Sequence, residues 1–219
     1  MLKDKRLRLL SALTPACNVA ADIGTDHGYL GCELLESEKC REVWFTDISP
    51  GALAKAQRLA AQKGLEENAR FYLGDGAQPL PGAPDAAIIS GMGGHTICHI
   101  LSLGEDKLRG SKLILGANTA LKQLRLWLMQ NHYTITDEAA VQEADKFYVI
   151  LCAQDGKMEL GEDELTAGPI LMKRKDEETK EYFRYRLNGA RIALERACVS
   201  ENADTKNLRE EMERWQKLL

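Results

Sequence analysis

The chain has 219 residues, of which 44% are hydrophobic and 28% are charged, and its formal net charge is −4. This composition is typical of a folded globular protein and argues against a disordered chain. The net charge makes no case by itself for a nucleic-acid partner, so an RNA substrate would have to be held by a local basic surface. No apolar run approaches the roughly 20 residues that span a bilayer, and the charged first residues lack the apolar core of a signal peptide. We therefore expect a cytoplasmic protein without a membrane segment.

The six cysteines are spread along the chain, and no two of them form a C-x-x-C pair. They are Cys17, Cys32, Cys40, Cys98, Cys152 and Cys198. In a reducing compartment such residues are mostly small, buried apolar side chains. The sequence therefore predicts neither a disulfide framework nor a structural zinc site.

Helical and strand patterns alternate from the start of the chain to about residue 155. Near-continuous apolar strands separated by helices indicate a parallel sheet with helices on both faces. Segments 133–139 and 147–153 lie too close together for a helix between them, so they predict a terminal antiparallel hairpin. The other predicted strands are 19–22, 43–47, 70–73, 85–90 and 112–115, and the predicted helices are 2–13, 29–35 and one that begins at Ser49-Pro50 and ends near Gly64.

The composition changes after Gly156. A polar, acidic connection over 159–164 leads to two amphipathic helices, predicted over 171–199 and 204–219 and joined by residues 200–203. Two such helices with a short connection predict an antiparallel hairpin. We therefore expect an α/β domain over residues 1–156 and a helical hairpin domain, similar to a coiled coil, over residues 157–219.

The segment D-I-G-T-D-H-G-Y-L at residues 22–30 directly follows the first predicted strand. A glycine-containing turn at the carboxyl edge of a sheet lets a ligand approach the backbone closely. Dinucleotide-binding enzymes use G-x-G-x-x-G there, but Asp26 stands at the middle glycine position. Its carboxylate would repel a pyrophosphate and attract the ammonium group of a methionine moiety. This favours S-adenosylmethionine over NAD, although a tight turn that binds nothing remains the alternative.

Two further acids follow the next two strands. Asp47 ends the second strand and can accept both ribose hydroxyls, or it can cap the helix that begins near Pro50. Asp75 lies between Gly74 and Gly76 after the third strand, where it can accept a hydrogen bond from an adenine amino group. By itself this signal is weak, because G-D-G is also an ordinary turn. It counts as evidence because Asp75 is the third acid in an ordered series of strand ends.

The fourth strand leads into S-G-M-G-G-H at residues 90–95, which leaves space for a flat substrate or for the sulfonium near the methyl group. The Asn/Asp-Pro-Pro-aromatic motif of enzymes that methylate exocyclic amines is absent. A ring nitrogen presents its lone pair directly, so catalysis would consist mainly of positioning. His95 and His99 stand four residues apart without a third ligand, and a helix that begins at His95 explains this spacing. We therefore predict no metal site.

Together these motifs resemble the bacterial tRNA (adenine-22, N1)-methyltransferases. The resemblance is carried by segments 22–30, 74–76, 91–94 and 113–128, and it extends through 167–169 into the helical tail. It implies a Rossmann-like methyltransferase fold with a carboxyl-terminal helical hairpin, S-adenosylmethionine as methyl donor and a tRNA adenine N1 as acceptor. With the residues next to its motifs, the predicted cofactor site comprises Asp22, Gly24, Thr25, Asp26, His27, Tyr29, Leu30, Asp47, Ile48, Asp75, Gly76, Gly91, Met92 and Gly93.

One departure from this family concerns the segment after the fifth strand. The family typically has Gln-Pro-Asn, whereas this chain has Gly116-Ala117-Asn118. The asparagine is retained and the other two residues are not. If the family's glutamine helps to hold the target base, the activity or the choice of base would differ here.

The substrate side is predicted from fewer signals. His27 and Asn118 are the candidate catalytic residues, in contact with the target base, and Tyr29 either stacks on a base or belongs to the core. Two basic groups are candidate tRNA contacts or solvated surfaces. They are Lys173, Lys180, Arg184 and Arg191 on one helical line, with Glu177 and Glu195 as possible partners, and Lys3, Lys5, Arg6 and Arg8 at the start of the chain.

The leading hypothesis is methyl transfer to N1 of adenine 22 in tRNA by a monomer or weak dimer. Because N1 faces the partner in a base pair, the nucleotide must be unpaired or flipped. One alternative is methylation of another RNA base or of a small molecule. Another is a non-catalytic protein that binds S-adenosylmethionine and RNA. A nicotinamide-dependent dehydrogenase is disfavoured by Asp26.

Overall fold

The computed structural model describes residues 4–198 and 205–219. The strands are β1 (Cys17–Ile23), β2 (Cys40–Asp47), β3 (Ala69–Leu73), β4 (Ala86–Met92), β5 (Lys112–Ala117), β6 (Tyr133–Glu143) and β7 (Lys146–Asp155). The helices are α1 (Lys5–Leu13), α2 (Tyr29–Glu36), α3 (Pro50–Gln62), α4 (Gly94–Leu103), α5 (Glu105–Leu108), α6 (Leu121–Gln130), α7 (Glu162–Ala167), α8 (Glu177–Cys198) and α9 (Lys206–Lys217), with short 3-10 helices at Glu66–Asn68 and Leu171–Lys173.

The seven strands form one sheet in the order β3-β2-β1-β4-β5-β7-β6. The first five strands of the chain run parallel, and β7 pairs antiparallel with both β5 and β6. The strand order reverses between β1 and β4, which creates the crevice where open α/β sheets bind ligands. The predicted Rossmann-like fold and its terminal antiparallel hairpin are confirmed.

Burial explains why these segments form the central strands. Residues 86–89 of β4 and 113–117 of β5 are buried, as expected for parallel strands covered on both faces. Two apolar clusters occupy the two faces of the sheet. One cluster includes Leu10 of α1 together with α2 and α3, and the other includes residues of α4, α6 and the helical tail.

Side-chain caps set several helix boundaries. Asp4 caps α1 by accepting a hydrogen bond from the Leu7 N–H at 3.0 Å, so this helix begins at Lys5 rather than at residue 2. Residues 1–3 lie outside the described part of the chain. Ser49 caps α3 through the Ala52 N–H, with Pro50 at the first helical position, as predicted.

The tail differs from its prediction at two places. Helix α7 begins within the acidic connection, and the helix predicted over 171–199 is divided into a 3-10 turn and α8. Asp176 accepts hydrogen bonds from the N–H and hydroxyl of Thr179 at 2.9 and 2.8 Å, which starts a new helix at Glu177. Across the described residues, no helix combines the length and apolar character needed to cross a membrane.

Helices α8 and α9 pack as an antiparallel pair, since Tyr182 lies near Trp215 while Arg186 lies near Glu211. The predicted connection at 200–203 lies outside the described residues. Trp215 is fully buried between Tyr182 and Phe183, and the Arg186 guanidinium lies 4.7 Å from its ring centroid. These aromatic residues belong to the same apolar cluster as the sheet. The division into domains at residue 156 stays a prediction.

A buried ion pair connects the sheet to the segment that leads into these helices. Arg125 of α6 and Glu138 of β6 are both 0% exposed, with Nε and Oε1 2.8 Å apart. Arg125 also donates to the carbonyls of Leu165 and Thr166, while Glu138 accepts N–H bonds from residues 170 and 171. The pair therefore holds both ends of the turn at Gly168, where a Cβ would lie 2.5 Å from Glu138 Oε2.

We predict that Glu138→Leu lowers the free energy of unfolding by about 3–5 kcal/mol, because it leaves the Arg125 guanidinium buried without its counter-charge. The double variant Arg125→Met/Glu138→Leu should be less destabilised than the single variant, since no buried charge remains. Urea denaturation monitored by circular dichroism measures both. The control Glu162→Gln removes the exposed pair with Lys122 and should cost at most about 1 kcal/mol. A loss for Glu138→Leu no larger than that of the control would contradict the prediction.

Candidate active site

The turns after β1, β2 and β3 are connected by hydrogen bonds around Thr46. Its carbonyl oxygen accepts the N–H groups of Gly24 and Thr25 at 2.8 and 3.1 Å. Its hydroxyl donates to the Gly76 carbonyl oxygen at 2.8 Å. Because Thr46 is buried in the penultimate position of β2, these bonds hold three predicted cofactor-binding turns at one edge of the sheet.

The turn after β1 requires glycine at two positions. Gly24 and Gly28 have φ angles of 74° and 75°, which disfavour residues with a Cβ. A Cβ on Gly24 would also lie 2.7 Å from Met92 Cε, and one on Gly28 would lie 2.8 Å from Ala56 Cβ. Asp26 has a φ of 49°, a conformation that Asp tolerates better than most residues. The resulting turn exposes the Asp26 carboxylate, which lies 3.4 Å from His27 Nε2.

Asp22 is a buried carboxyl group at the bottom of this turn. Its Oδ2 accepts hydrogen bonds from Thr25 Oγ1 at 2.7 Å and from the Gly31 N–H at 3.3 Å. Burial raises the pKa of Asp22 to about 6, and the nearby charge of Asp47 contributes in the same direction, although both hydrogen bonds oppose the shift. The ionised form of Asp22 is therefore more stable when a cation is bound beside it.

Asp47 accepts the Asp26 N–H on Oδ2 at 3.1 Å and the Ser49 N–H on Oδ1 at 2.8 Å. Since Ser49 caps α3, Asp47 does not serve as the cap of that helix. Asp75 follows β3, which pairs with β2, and its carbonyl oxygen accepts the Gln78 N–H. The Asp47 and Asp75 side chains therefore belong to adjacent strand ends. Ile48 is 70% exposed beside them.

A cavity of about 310 Å³ lies at the ends of β1 and β4. The predicted residues that line it are Asp22, Gly24, Thr25, Asp26, His27, Tyr29, Leu30, Gly91 and Met92. The five predicted residues outside its lining are Asp47, Ile48, Asp75, Gly76 and Gly93. Asp47 is the last residue of β2 and Ile48 follows it, Asp75 and Gly76 lie in the turn after β3, and Gly93 precedes α4. The cavity and these turns form a continuous edge of the sheet.

The lining also includes residues that the sequence did not assign to the cofactor site. Arg6, Leu7 and Leu10 come from α1, and Ser90 from β4. Arg6 belongs to the basic cluster predicted at the start of the chain, but its spacing alone could not separate a site residue from a surface residue. Helix α1 lies over the end of the sheet because Leu10 is fully buried in the core.

His27 and Tyr29 form an aromatic pair at the opening of this cavity. Their ring centroids are 5.4 Å apart and the rings are inclined by 16°. Tyr29 is 52% exposed, so the alternative that placed it in the core is wrong. Its position at the cavity leaves an aromatic face available for a planar partner.

Asn118 lies on the other side of Met92. Its N–H donates to the Met92 carbonyl oxygen at 2.9 Å, and its side chain is exposed. It lines a separate cleft of about 690 Å³ that also includes Phe147 and Tyr185 and reaches the helical hairpin. His27 and Asn118 therefore line two separate cavities, and Met92, whose carbonyl oxygen accepts the Asn118 N–H, lines the smaller one.

The departure at Gly116 has a steric counterpart. Gly116 pairs with Ser90 in the sheet, and a Cβ at position 116 would lie 2.3 Å from Ser90 Oγ. The structure thus accommodates Ser90 in its present rotamer only with glycine opposite it. His95 and His99 are both exposed on α4, and the described residues contain no group of three or more potential metal ligands.

The basic residues of the tail are largely ion-paired. Lys180 and Arg184 both contact the Glu177 carboxylate, at 3.5 and 2.8 Å, and Arg191 donates to the Asn188 side chain. Lys173 belongs to the preceding 3-10 helix, so the four predicted residues do not form one line on a single helix. Of the cluster at the start of the chain, Lys3 lies outside the described residues, and Arg6 reaches the cavity.

A Rossmann-like sheet with an acid-containing glycine turn after β1 and acids after β2 and β3 defines an S-adenosylmethionine-dependent methyltransferase. The model of the tRNA (adenine(22)-N(1))-methyltransferase family matches residues 20–217. The chain belongs to this family, which confirms the resemblance found in its motifs.

Relatives match over nearly the whole chain. The tRNA (adenine(22)-N(1))-methyltransferase of Bacillus subtilis (strain 168) is 32% identical over 217 residues, which cover 95% of this chain and 90% of the relative. Streptococcus pneumoniae Sp1610 in complex with S-adenosyl-L-methionine has a TM-score of 0.89 at 28% identity, with 100% of both chains covered. M. capricolum TrmK in complex with S-adenosyl-homocysteine has a TM-score of 0.81 at 26% identity, with 97% of this chain and 94% of that chain covered.

The raised pKa of Asp22 predicts a pH-dependent stability of the ligand-free protein. Its stabilising contribution is complete below the ordinary carboxyl pKa of 3.8 and is lost as the pH rises through about 6. Two pKa units correspond to about 3 kcal/mol. Asp22→Asn keeps a neutral acceptor for Thr25 and Gly31. Between pH 4 and pH 7 its free energy of unfolding should therefore rise relative to wild type by about 2–3 kcal/mol.

Urea denaturation at a series of pH values measures this difference. The matched control is Asn18→Ala, which removes an exposed side chain that has no titratable group. For that control we expect a nearly constant difference from wild type. A difference for Asp22→Asn that is equally constant between pH 4 and pH 7 would show that burial does not hold a proton on this group.

Proposed function

We propose that this protein transfers a methyl group from S-adenosylmethionine to N1 of adenine 22 in tRNA. The observation that carries the proposal is the family match over residues 20–217, because it joins the cofactor edge and the helical tail in one chain. The Bacillus subtilis relative bears this activity in its name, and two structural relatives hold S-adenosylmethionine or S-adenosyl-homocysteine. A tRNA substrate also agrees with the expected cytoplasmic location.

The residues at the sheet edge fit the chemistry of this cofactor. The carboxyl groups of Asp22 and Asp26 suit the methionine ammonium, since both lie at the cavity after β1. Asp47 is placed to accept the ribose hydroxyls, and Asp75 to accept the adenine amino group, at the ends of the adjacent strands. The glycine turns allow the cofactor to approach the backbone closely. When bound, the sulfonium supplies an electrophilic methyl group.

The chain's own contribution on the acceptor side is positioning. Adenine N1 carries a lone pair, so it requires no side chain to remove a proton before it attacks. His27 and Tyr29 offer a stacked aromatic surface at the cavity opening, and Asn118 offers an exposed amide across the Met92 strand end. We assign these three residues to holding the base in line with the methyl group. The target nucleotide must leave its base pair to reach them.

The cleft that contains Asn118 extends from the sheet to the helical hairpin. It includes exposed Tyr185 on α8, together with the cations of Arg186 and Lys122, which pair with carboxylates of the same cleft and would exchange them for phosphates. Aromatic and cationic side chains of this kind suit stacking and phosphate contacts with RNA. We therefore propose that residues 157–219 form the unit that holds the tRNA while its adenine enters the site.

The direct test uses purified protein, S-adenosylmethionine with a labelled methyl group, and unmodified tRNA, followed by nucleoside analysis. We expect 1-methyladenosine at position 22, and no product from tRNA in which guanine replaces this adenine. Label in a different nucleoside would assign another base, to which the departure at Gly116-Ala117 would then be relevant. Cofactor binding without label in any nucleoside would contradict tRNA methylation.

We predict that Asn118→Ala lowers kcat by about 10- to 100-fold, because a misplaced base loses its alignment with the methyl group. Its affinity for S-adenosylmethionine should stay within about twofold of wild type, since Asn118 lies outside the cofactor cavity. Single-turnover kinetics and calorimetry measure the two quantities. The matched control Asn18→Ala removes an exposed asparagine at the opposite edge of the sheet and should leave both unchanged. An equal kcat for Asn118→Ala and wild type would show that Asn118 does not position the base.

A further inference from the structure

Arg6 places a cation in a cavity whose other charged groups are acidic. Its side chain is 21% exposed and lines the cavity together with Asp22 and Asp26. Lys55 contacts Asp26 at 3.5 Å from α3 but does not line the cavity. Among the described residues that line this cavity, Arg6 is therefore the one with a permanent positive charge.

The Arg6 guanidinium is oriented by contacts with residues of β4 and β7. Its Nη1 donates to Ser90 Oγ at 3.2 Å, and its Cζ lies 5.5 Å from the ring centroid of Tyr148 on β7. Its carboxylate neighbour among the described residues is Asp4, whose Oδ2 is 3.9 Å from Nη2, which is too long for a hydrogen bond. An arginine has five N–H donors. Among the described residues, Ser90 accepts one hydrogen bond from Arg6, so most of its donors remain available for a planar acceptor.

Two glycines give this arrangement its space. Gly91 has a φ of 84°, and a Cβ there would lie 3.5 Å from Arg6 Nη1. Gly116 leaves room for the Ser90 hydroxyl, which accepts the hydrogen bond from Arg6. The residue that departs from the family pattern is thus the neighbour that permits the Arg6–Ser90 contact.

The methionine end of S-adenosylmethionine carries an ammonium and a carboxylate on the same carbon atom. A cavity that accepts the ammonium on a buried acid must also accept the carboxylate a few ångströms away, because an unpaired buried carboxylate is costly. Arg6 and Asp22 line one cavity with opposite charges, which matches this zwitterion. An arginine also binds a carboxylate through two parallel hydrogen bonds.

We infer that Arg6 binds the α-carboxylate of the methionine moiety of S-adenosylmethionine, and that Ser90 orients it for this contact. The inference rests on the proposed function, since it deepens the description of the same cofactor site. It assigns to helix α1 a role in closing the methionine end of the cavity. The competing role for Arg6 is a contact with a tRNA phosphate.

The test compares two ligands that differ only in the group concerned. Calorimetry measures the binding of S-adenosylmethionine and of decarboxylated S-adenosylmethionine, which lacks the α-carboxylate, to wild type and to Arg6→Gln. We expect Arg6→Gln to weaken binding of S-adenosylmethionine by about 10- to 100-fold. Its affinity for the decarboxylated ligand should equal that of wild type. S-adenosyl-homocysteine retains the carboxylate and should follow S-adenosylmethionine.

Two further variants separate a specific contact from a general disturbance. Arg8→Gln removes the same charge from an exposed position on the same helix and should change neither affinity. Arg6→Lys keeps the charge without the planar fork, so it should recover part of the lost affinity for S-adenosylmethionine. Thermal unfolding of each variant confirms that the fold is retained.

The outcomes distinguish a failure of the Arg6 contact from a failure of the proposed function. Equal loss of both ligands in Arg6→Gln would overturn the carboxylate contact, and so would unchanged binding of S-adenosylmethionine. Unchanged cofactor binding with a raised KM for tRNA would assign Arg6 to the RNA instead. If wild type binds neither ligand, the proposed function itself fails and the Arg6 contact fails with it.

Discussion

The hydrogen bonds of Thr46 are the constraint on which the cofactor edge depends. Its carbonyl oxygen holds the turn after β1, and its hydroxyl holds the turn after β3, from a buried position in β2. Three segments far apart in sequence therefore present Asp22, Asp47 and Asp75 from adjacent strand ends. A preorganised site of this kind is effective because its charged groups need not be gathered when the ligand arrives.

The Arg125–Glu138 pair extends the same rigidity to the tail. Both side chains are completely buried, and Arg125 Nη1 and Glu138 Oε2 form hydrogen bonds with the backbone of residues 165–171. The pair thereby determines where the chain leaves the sheet and enters α8. Since the cleft containing Asn118 is formed by the sheet on one side and α8 on the other, its shape depends on this junction. A buried ion pair of this kind specifies an arrangement more than it adds stability.

Local patterns in the sequence were sufficient for the sheet, the glycine turn and the acids at the strand ends. Strand periodicity and the D-I-G-T-D-H-G segment are local signals, and Ser49-Pro50 marks its helix start through chemistry within four residues. The sequence could not show that Arg6 lies 3.2 Å from Ser90, because that contact joins residues 84 positions apart. It also did not separate α8 from the 3-10 turn before it, since residues 173–181 are polar and offer no apolar spacing that would mark the boundary at the Asp176 cap.

The chemistry of the acceptor atom explains which side chains the proposed site contains. Because adenine N1 already has a lone pair, the protein needs no strongly basic side chain beside the methyl group, and the described residues there instead offer planar and amide surfaces. The buried charge belongs to the cofactor side, where Asp22 is costly to ionise without a cation. Helix α1 supplies the opposite charge from outside the sheet. In the proposed assignment, the methionine end lies between β1 and helix α1, which meet only in the folded chain, whereas the adenosine end lies on turns that the sheet itself brings together. In the same assignment, His27 and Tyr29 therefore approach the base from the cofactor cavity, and Asn118 approaches it from the neighbouring cleft.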